Sequence, residues 1–352
     1  MAEGDHAWAA NHLPQVHYAE DVIFPSDSTL ESVACLFENG EFTNGDFVYE
    51  RRTLWIIIQE QLYPLKSLAN VKDIGQVLLD VACGECIPSA FQLLFTYPVL
   101  VHRWLYNHPG ILHRDLSFNN IMYRLIEEMK ANGEKEHKVY GVLTDYNLSS
   151  WKKDLGTDYT KTSQQRTGTP PYMAQELLKG TSTTHLYRHD LESLFCVMLM
   201  MGGRHEIGHT VDEASEEAGC RVVMREGKLP YAEWFNVRNY ASLGKYKSAF
   251  FLDMEPIELS PVFEGFRPWL QDLQYCFSEG FKLQPAPNKW ARPPWMPAVT
   301  ATGGQPVAVQ FDDETLGGFI HYGTVLAPVR YLTGELKGLI IRDPKSPSIP
   351  AA

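Results

Sequence analysis

Apolar positions recur along the chain in several distinct periods, and each predicts a different element. Residues 53–59 (TLWIIIQ) are β-branched and continuously apolar over strand length. Beyond Pro64, Ile74, Val77, Leu78 and Val81 recur at spacings of three and four, which predicts an amphipathic helix. Gly84, Pro88 and Pro98 interrupt that pattern across residues 84–101, and HRWLYN resumes a helical one. Residues 111–122 form a short apolar-polar segment between strands. The charged stretch 125–138 (LIEEMKANGEKEHK) predicts a solvated hairpin tip or helix turn. YGVLT (140–144) predicts a buried strand ending at Asp145, and LESLFCVMLMM (191–201) a strongly apolar helix with His189 and Asp190 at its start. Prolines cluster at 285–297 and after Pro344, and between them FDDETLGGFIHYGTVLAPVRYL carries enough apolar residues to pack. No internal repeat is present.

Composition narrows the function classes. The chain has 352 residues, 44% hydrophobic and 21% charged, as expected of a chain that builds a core. Its net charge of −12 argues against nucleic acid as the main partner, since phosphate backbones need a basic surface. The cysteines, at 35, 83, 86, 196, 220 and 276, are scattered as in a reduced intracellular protein. The N-terminus lacks the basic and apolar regions of a signal peptide, and no uncharged run of 18 apolar residues predicts a membrane span. These features place the chain inside the cell, in cytoplasm or nucleus.

The strongest chemical signal is His113-Arg114-Asp115-Leu116-Ser117-Phe118-Asn119-Asn120. A carboxylate followed five residues later by an amide suits phosphoryl transfer. Asp115 would orient a hydroxyl and accept its proton, while the amide oxygen of Asn120 would hold Mg2+ on the phosphates. Asp145, ending a strand, offers a second oxygen ligand. Downstream come Arg166-Thr167-Gly168-Thr169-Pro170-Pro171-Tyr172-Met173-Ala174-Gln175-Glu176 and then Asp190. Four such pieces in one order reinforce one another.

These motifs resemble the fungal-type protein kinase family, as does Asp312–Tyr322 (DDETLGGFIHY). The resemblance covers residues 50–200 well and 200–335 loosely. It implies an α+β, protein-kinase-like fold: a mainly α-helical C-lobe with a truncated, small β-containing N-lobe. The domains it implies are an incomplete N-lobe remnant at 1–60, a C-lobe at 61–280 with insertions at 84–101 and 124–139, and a Pro-rich extension at 281–352 partly packed on the C-lobe. The implied cofactors are ATP and Mg2+, and the implied reaction is transfer of the ATP γ-phosphate to protein Ser/Thr hydroxyls. The resemblance assigns Asp115 as base and Asn120 and Asp145 as magnesium ligands. Thr169 bridges the catalytic aspartate to the substrate loop. Arg114 is a receiver for a phosphorylated Thr160, Thr162, Ser163 or Thr167. Glu176 and Asp190 are anchors, and Glu60 to Leu62 form the adenine-binding hinge. NHLPQVHYAEDV (11–22) matches the stretch following the first helix of the N-lobe.

Departures from the family pattern also carry expectations. Ser117 stands where most protein kinases place lysine, a serine that the fungal-type family shares; Asn147 replaces the glycine of D-F-G, and Gln175 replaces the proline of A-P-E. No lysine precedes Lys66 and no glycine-rich loop is evident. A kinase needs both ahead of its hinge, so the polypeptide is expected to be a slow or inactive kinase. The alternatives are a pseudokinase scaffold recruiting an unidentified protein partner, and a small-molecule phosphotransferase of kinase-like fold. The protein-substrate platform that the segment 166–176 resembles speaks against the latter. The break at 84–101 reads either as a retained intron or as a surface insertion. His205-Glu206-Ile207-Gly208-His209 matches a zinc motif only if helical. The glycines around and within it favour a polar loop. Cys83-x-x-Cys86 lacks a second pair.

Overall fold

The computed structural model describes residues 4–22, 54–82, 101–130, 132–154, 168–182, 184–211, 218–237, 239–285, 311–332 and 334–339. The 84–101 break, except its final residue, lies outside them. So do Cys83 and Cys86 and the segment carrying Thr160, Thr162, Ser163, Arg166 and Thr167.

The fold is α+β, with small antiparallel sheets around a helical core. After a 3-10 turn at Gly4–His12, β1 (Val16–Val22) pairs antiparallel with β2 (Leu54–Gln59). The apolar run of β2 forms the expected strand. Its Ile56, Ile57 and Ile58 are nevertheless about half exposed, at 49%, 47% and 54%. β1 is its only neighbour among the described residues, so neither face is covered. β3 (Tyr63–Pro64) then leads to α1 (Val71–Ala82), whose Ile74, Val77, Leu78 and Val81 are buried as their spacing predicts. The next helix, α2 (Val101–Asn107), precedes β4 (Ile111–Leu112).

The charged segment is part of a long hairpin, with the turn at its tip. β5 (Ile121–Met129) and β6 (Lys135–Leu143) pair from Ile121↔Leu143 to Met129↔Lys135. The hairpin base is buried, whereas the outer halves carry Glu127–Lys135 and Glu128–Lys138 ion pairs into solvent. β3 extends the sheet through Tyr63↔Tyr123 and Pro64↔Met122. α1 lies against β6 so closely that a Cβ at Gly141 would sit 2.4 Å from the Val77 carbonyl oxygen and 3.0 Å from Asp80 Cβ. The Gly141 N–H donates to Asp80 at 3.0 Å, and its carbonyl accepts from His12 Nδ1 at 2.8 Å. Thus the N-terminal turn is fastened to this hairpin.

β7 (Ser150–Trp151) pairs with β4, and the short α3 (Gln175–Lys179) follows. The core is organised by α4 (Tyr187–Arg204), in which every residue is buried. A helix apolar around most of its circumference must be surrounded. Phe195 lies 5.3–6.1 Å, ring centre to ring centre, from Phe250, Phe251 and Phe277. These come from α6 (Tyr240–Leu252) and α7 (Arg267–Leu283), with α5 (Ala232–Asn236) before them. Residues 205–209 are neither helix nor loop. They open β8 (His205–Val211), which pairs with β9 (Ala218–Met224). Four residues along a strand span about 13 Å, so His205 and His209 do not converge on a metal. His205 stacks on Phe118, and His209 faces Cys220 across the ribbon.

The packable stretch between the proline clusters is ordered over residues 311–332 and ends in α8 (Tyr322–Leu326) and a 3-10 turn. Leu316 and Ile320 are fully buried, and Trp269 Nε1 donates to the Val325 carbonyl at 2.7 Å. Among the described residues no helix is long and apolar enough to cross a membrane.

The backbone approach at Gly141 gives a direct test. Gly141→Ala forces α1 away from β6, and the expected loss is about 1–3 kcal/mol, as for other overpacked sites. Urea unfolding followed by circular dichroism measures it, and an unchanged midpoint would refute the close contact.

Candidate active site

The loop from His113 to Asn120 crosses from β4 to β5 and is tied down at three points. Asp190, in the first turn of α4, is fully buried. It accepts the His113 N–H at 3.1 Å on Oδ2 and the Arg114 N–H at 3.1 Å on Oδ1. His102 Nε2 and His185 Nε2 each lie 2.7 Å from the same carboxylate. Burial pushes the Asp190 carboxyl up. His185 and the hydrogen bond from His102 outweigh it, and the group stays ionised well below the usual carboxylate range. Asp190 is the fourth residue of α4, after Leu186 at the N-cap position. It therefore anchors a segment outside its own helix. The cap belongs to His189, whose Nδ1 accepts the Leu186 N–H at 3.0 Å.

The second tie is His113. Burial lowers its imidazole below the ordinary range, so it is neutral. Nε2 donates to the Thr144 carbonyl at 2.8 Å, which leaves Nδ1 to accept the Asp115 N–H at 3.3 Å. The third is the Asn120 carbonyl, which accepts both the N–H and the hydroxyl of Thr144, at 2.9 and 3.1 Å. Through Thr144 the loop is locked to the residue before Asp145. Arg114 and Asp145 are both left-handed, with φ of 69° and 60°, an arrangement that non-glycine residues adopt when the surroundings impose it.

Asp115, Asn120 and Thr169 form one cluster. Asp115 Oδ1 accepts the Thr169 N–H at 2.8 Å and its hydroxyl at 3.0 Å. Asn120 Nδ2 donates to the Asp115 carbonyl at 2.8 Å and to its Oδ2 at 3.1 Å. Gly168 permits this approach. At φ 122° it turns the chain, and a Cβ there would lie 3.3 Å from the Arg114 carbonyl. Among the described residues Asp145 makes no hydrogen bond to the cluster. Its side chain is exposed and accepts the Asn147 N–H at 3.3 Å. Arg114 is half-buried with its backbone held by Asp190, and burial lowers its pKa.

The donor set suits a hard cation. With Nδ2 engaged on Asp115, Asn120 has its amide oxygen for a metal, and Asp145 adds an exposed carboxylate. Two oxygen donors completed by phosphates and water match the habit of Mg2+. Among the described residues no three His, Cys, Asp or Glu side chains form a metal cluster, so a cation here depends on oxygens from its ligand. Glu60 sits at the end of β2. Its N–H donates to the Gln15 carbonyl at 3.0 Å, and its carboxylate pairs with Arg124. Leu62 is buried beside β3, which pairs with β5 just beyond Asn120. The expected hinge is thus stitched to the strand that leaves the catalytic loop.

Glu176 accepts from Arg188, and His189 Nε2 lies 3.4 Å away. Burial raises this carboxyl, but His189 and Arg188 hold it well below the ordinary range. Gln175, where the family pattern has proline, uses the N–H that proline lacks. It donates to Glu192 Oε1 at 2.7 Å. Oε2 of Glu192 is buried and has no hydrogen-bond partner among the described residues. Sequence reasoning assigned no role to His102, His185 or Glu192. Histidine and glutamate beside apolar helices carry no local signal of such contacts.

A family model described as fungal protein kinase matches residues 90–201, the span from just before α2 through the loop cluster into α4. This segment is fungal-protein-kinase-like, in agreement with the resemblance read from its motifs. No curated protein matches the chain. Among solved structures, the crystal structure of the PF14_0431 kinase domain is similar with a TM-score of 0.32 and 12% identity. The likeness covers 76% of this chain and 72% of that chain, too loose to carry weight.

Burial, partly opposed by Lys247, pushes Glu192 up to about 7 from the usual 4.5. The folded state then holds a proton that the unfolded chain releases, so this group's contribution to stability declines as pH rises from about 4.5 to 7. Subtracting the Glu192→Gln stability curve from that of the parent should leave a decline across that window, on the order of 3 kcal/mol at most. A flat difference curve would show that Glu192 is not held protonated.

Proposed function

We propose that this chain is a kinase-like phosphotransferase domain that binds Mg-ATP at the Asp115–Asn120–Asp145 site and acts on protein Ser/Thr hydroxyls. The observation that carries this reading is the double hydrogen bond from Thr169 to Asp115 Oδ1. It fixes the carboxylate between the loop at 113–120 and the segment that resembles a protein-substrate platform. Asp115 then orients a substrate hydroxyl and accepts its proton. Asn120 and Asp145 would hold Mg2+, which when bound neutralises charge on the phosphates. Glu60, its N–H and carboxylate already engaged, offers its carbonyl to the adenine edge, and Leu62 offers its backbone groups. Residues 1–60 serve as an N-lobe remnant, 61–280 as the C-lobe and 281–352 as an extension on it.

No lysine stands on β1 or β2, or anywhere before Lys66, to clamp the phosphates. Losing one preorganised charge of this kind costs on the order of 10²–10³ in rate. A binding module without catalysis is the second reading, and it rests on this same missing lysine.

Thermal unfolding with and without Mg-ATP separates the two. The expected result is a Tm rise that requires both magnesium and nucleotide and vanishes in Asp145→Ala. Slow transfer of phosphate to a generic protein substrate should be abolished by Asp115→Asn. An unmoved Tm refutes nucleotide binding and favours the binding module.

A further inference from the structure

We propose that Tyr322, from the C-terminal segment, is a positioning residue that sets the catalytic loop through His102 and Asp190. The Tyr322 hydroxyl lies 3.2 Å from His102 Nδ1, on the far side of the imidazole from Asp190. Asp190 is ionised and receives two backbone N–H groups, so His102 Nε2 must carry the proton that faces it. In neutral His102 this leaves Nδ1 as an acceptor, and the Tyr322 hydroxyl donates to it. The opposite tautomer would aim a lone pair at the carboxylate. Tyr322 therefore braces from behind the imidazole whose Nε2–H Asp190 requires, and Asp190 in turn holds the N–H groups of His113 and Arg114.

The segment bearing Tyr322 is clamped by the same turn of α4 that supplies Asp190. Tyr187 donates to the Ile320 carbonyl at 3.0 Å and stacks on Tyr322 at 5.2 Å. Arg188 donates to the Asp313 carbonyl at 2.5 Å and its carboxylate at 2.9 Å, while also pairing with Glu176. Arg103 lies over the Tyr322 ring at 5.3 Å. Hence the residues on either side of the loop anchor read the presence of the C-terminal segment directly.

The consequence for transfer rests on the phosphotransferase reading, but the positioning itself does not. Tyr322→Phe removes only the hydroxyl and keeps the stacking. In the full chain, the His102 Nδ1 resonance should shift as it loses its hydrogen-bond donor, while the Nε2–H facing Asp190 stays in place. Amide hydrogen exchange at His113 and Arg114 should accelerate, roughly fivefold for one neutral hydrogen bond. Tyr187→Phe, which loses the tie to Ile320 but not the hydroxyl on His102, should leave the His102 resonances unchanged. Unaltered resonances and exchange in Tyr322→Phe overturn the proposal. So does an equal perturbation by Tyr187→Phe, which would indicate packing alone. These readouts hold whether or not the chain transfers phosphate. Where transfer is measurable, kcat should fall in Tyr322→Phe with the KM for ATP unchanged.

Discussion

A single buried carboxylate, Asp190, organises the chemistry of this molecule. Removing an ion from water costs several kcal/mol unless its lone pairs are satisfied. Here they are met by two main-chain N–H groups of the 113–120 loop and two imidazoles, all within 3.1 Å. The satisfaction is mutual. The loop gains a fixed origin from which Asp115 and Asn120 project, and the most buried helix of the fold gains partners for a charge it could not otherwise carry.

From that origin the constraints spread outward in order. His113 and the Asn120 carbonyl lock the loop to Thr144, so the backbone of Asp145 is set by the same contacts that set Asp115. Thr169 then closes the cluster from the other side, at a glycine whose φ no other residue adopts comfortably. Left-handed Arg114 and Asp145 mark where this network over-determines the chain. Strain of that kind is tolerated where geometry matters more than local comfort.

A second layer of polar contacts lies beside it. Glu176, Arg188 and Asp313 tie the segment after Thr169 to the C-terminal stretch, and Glu192 takes the N–H of Gln175. A substitution that looks mild in sequence, glutamine for proline, thus supplies a donor to a buried acid. The C-terminal stretch is correspondingly built into the core, with Leu316 and Ile320 fully buried.

Much was legible from residue order alone. The spacing of Ile74, Val77, Leu78 and Val81 determined a helix and its buried face, because helical period and side-chain direction are local properties. Asp115 and Asn120 were identifiable as a pair from a carboxylate and an amide five residues apart, whereas Thr169 was singled out only through the resemblance of 166–176 to the family. Tertiary structure alone decided what these groups touch. The 205–209 motif was read first as zinc helix or polar loop and proved to be a strand, because pairing with β9 overrides local preference. The exposure of Ile56–Ile58 depends on what lies beside β2. The meeting of His102 with Asp190 on one side and Tyr322 on the other joins residues up to 220 positions apart, and hydrogen bonds at that separation leave no period or spacing in the chain to be read.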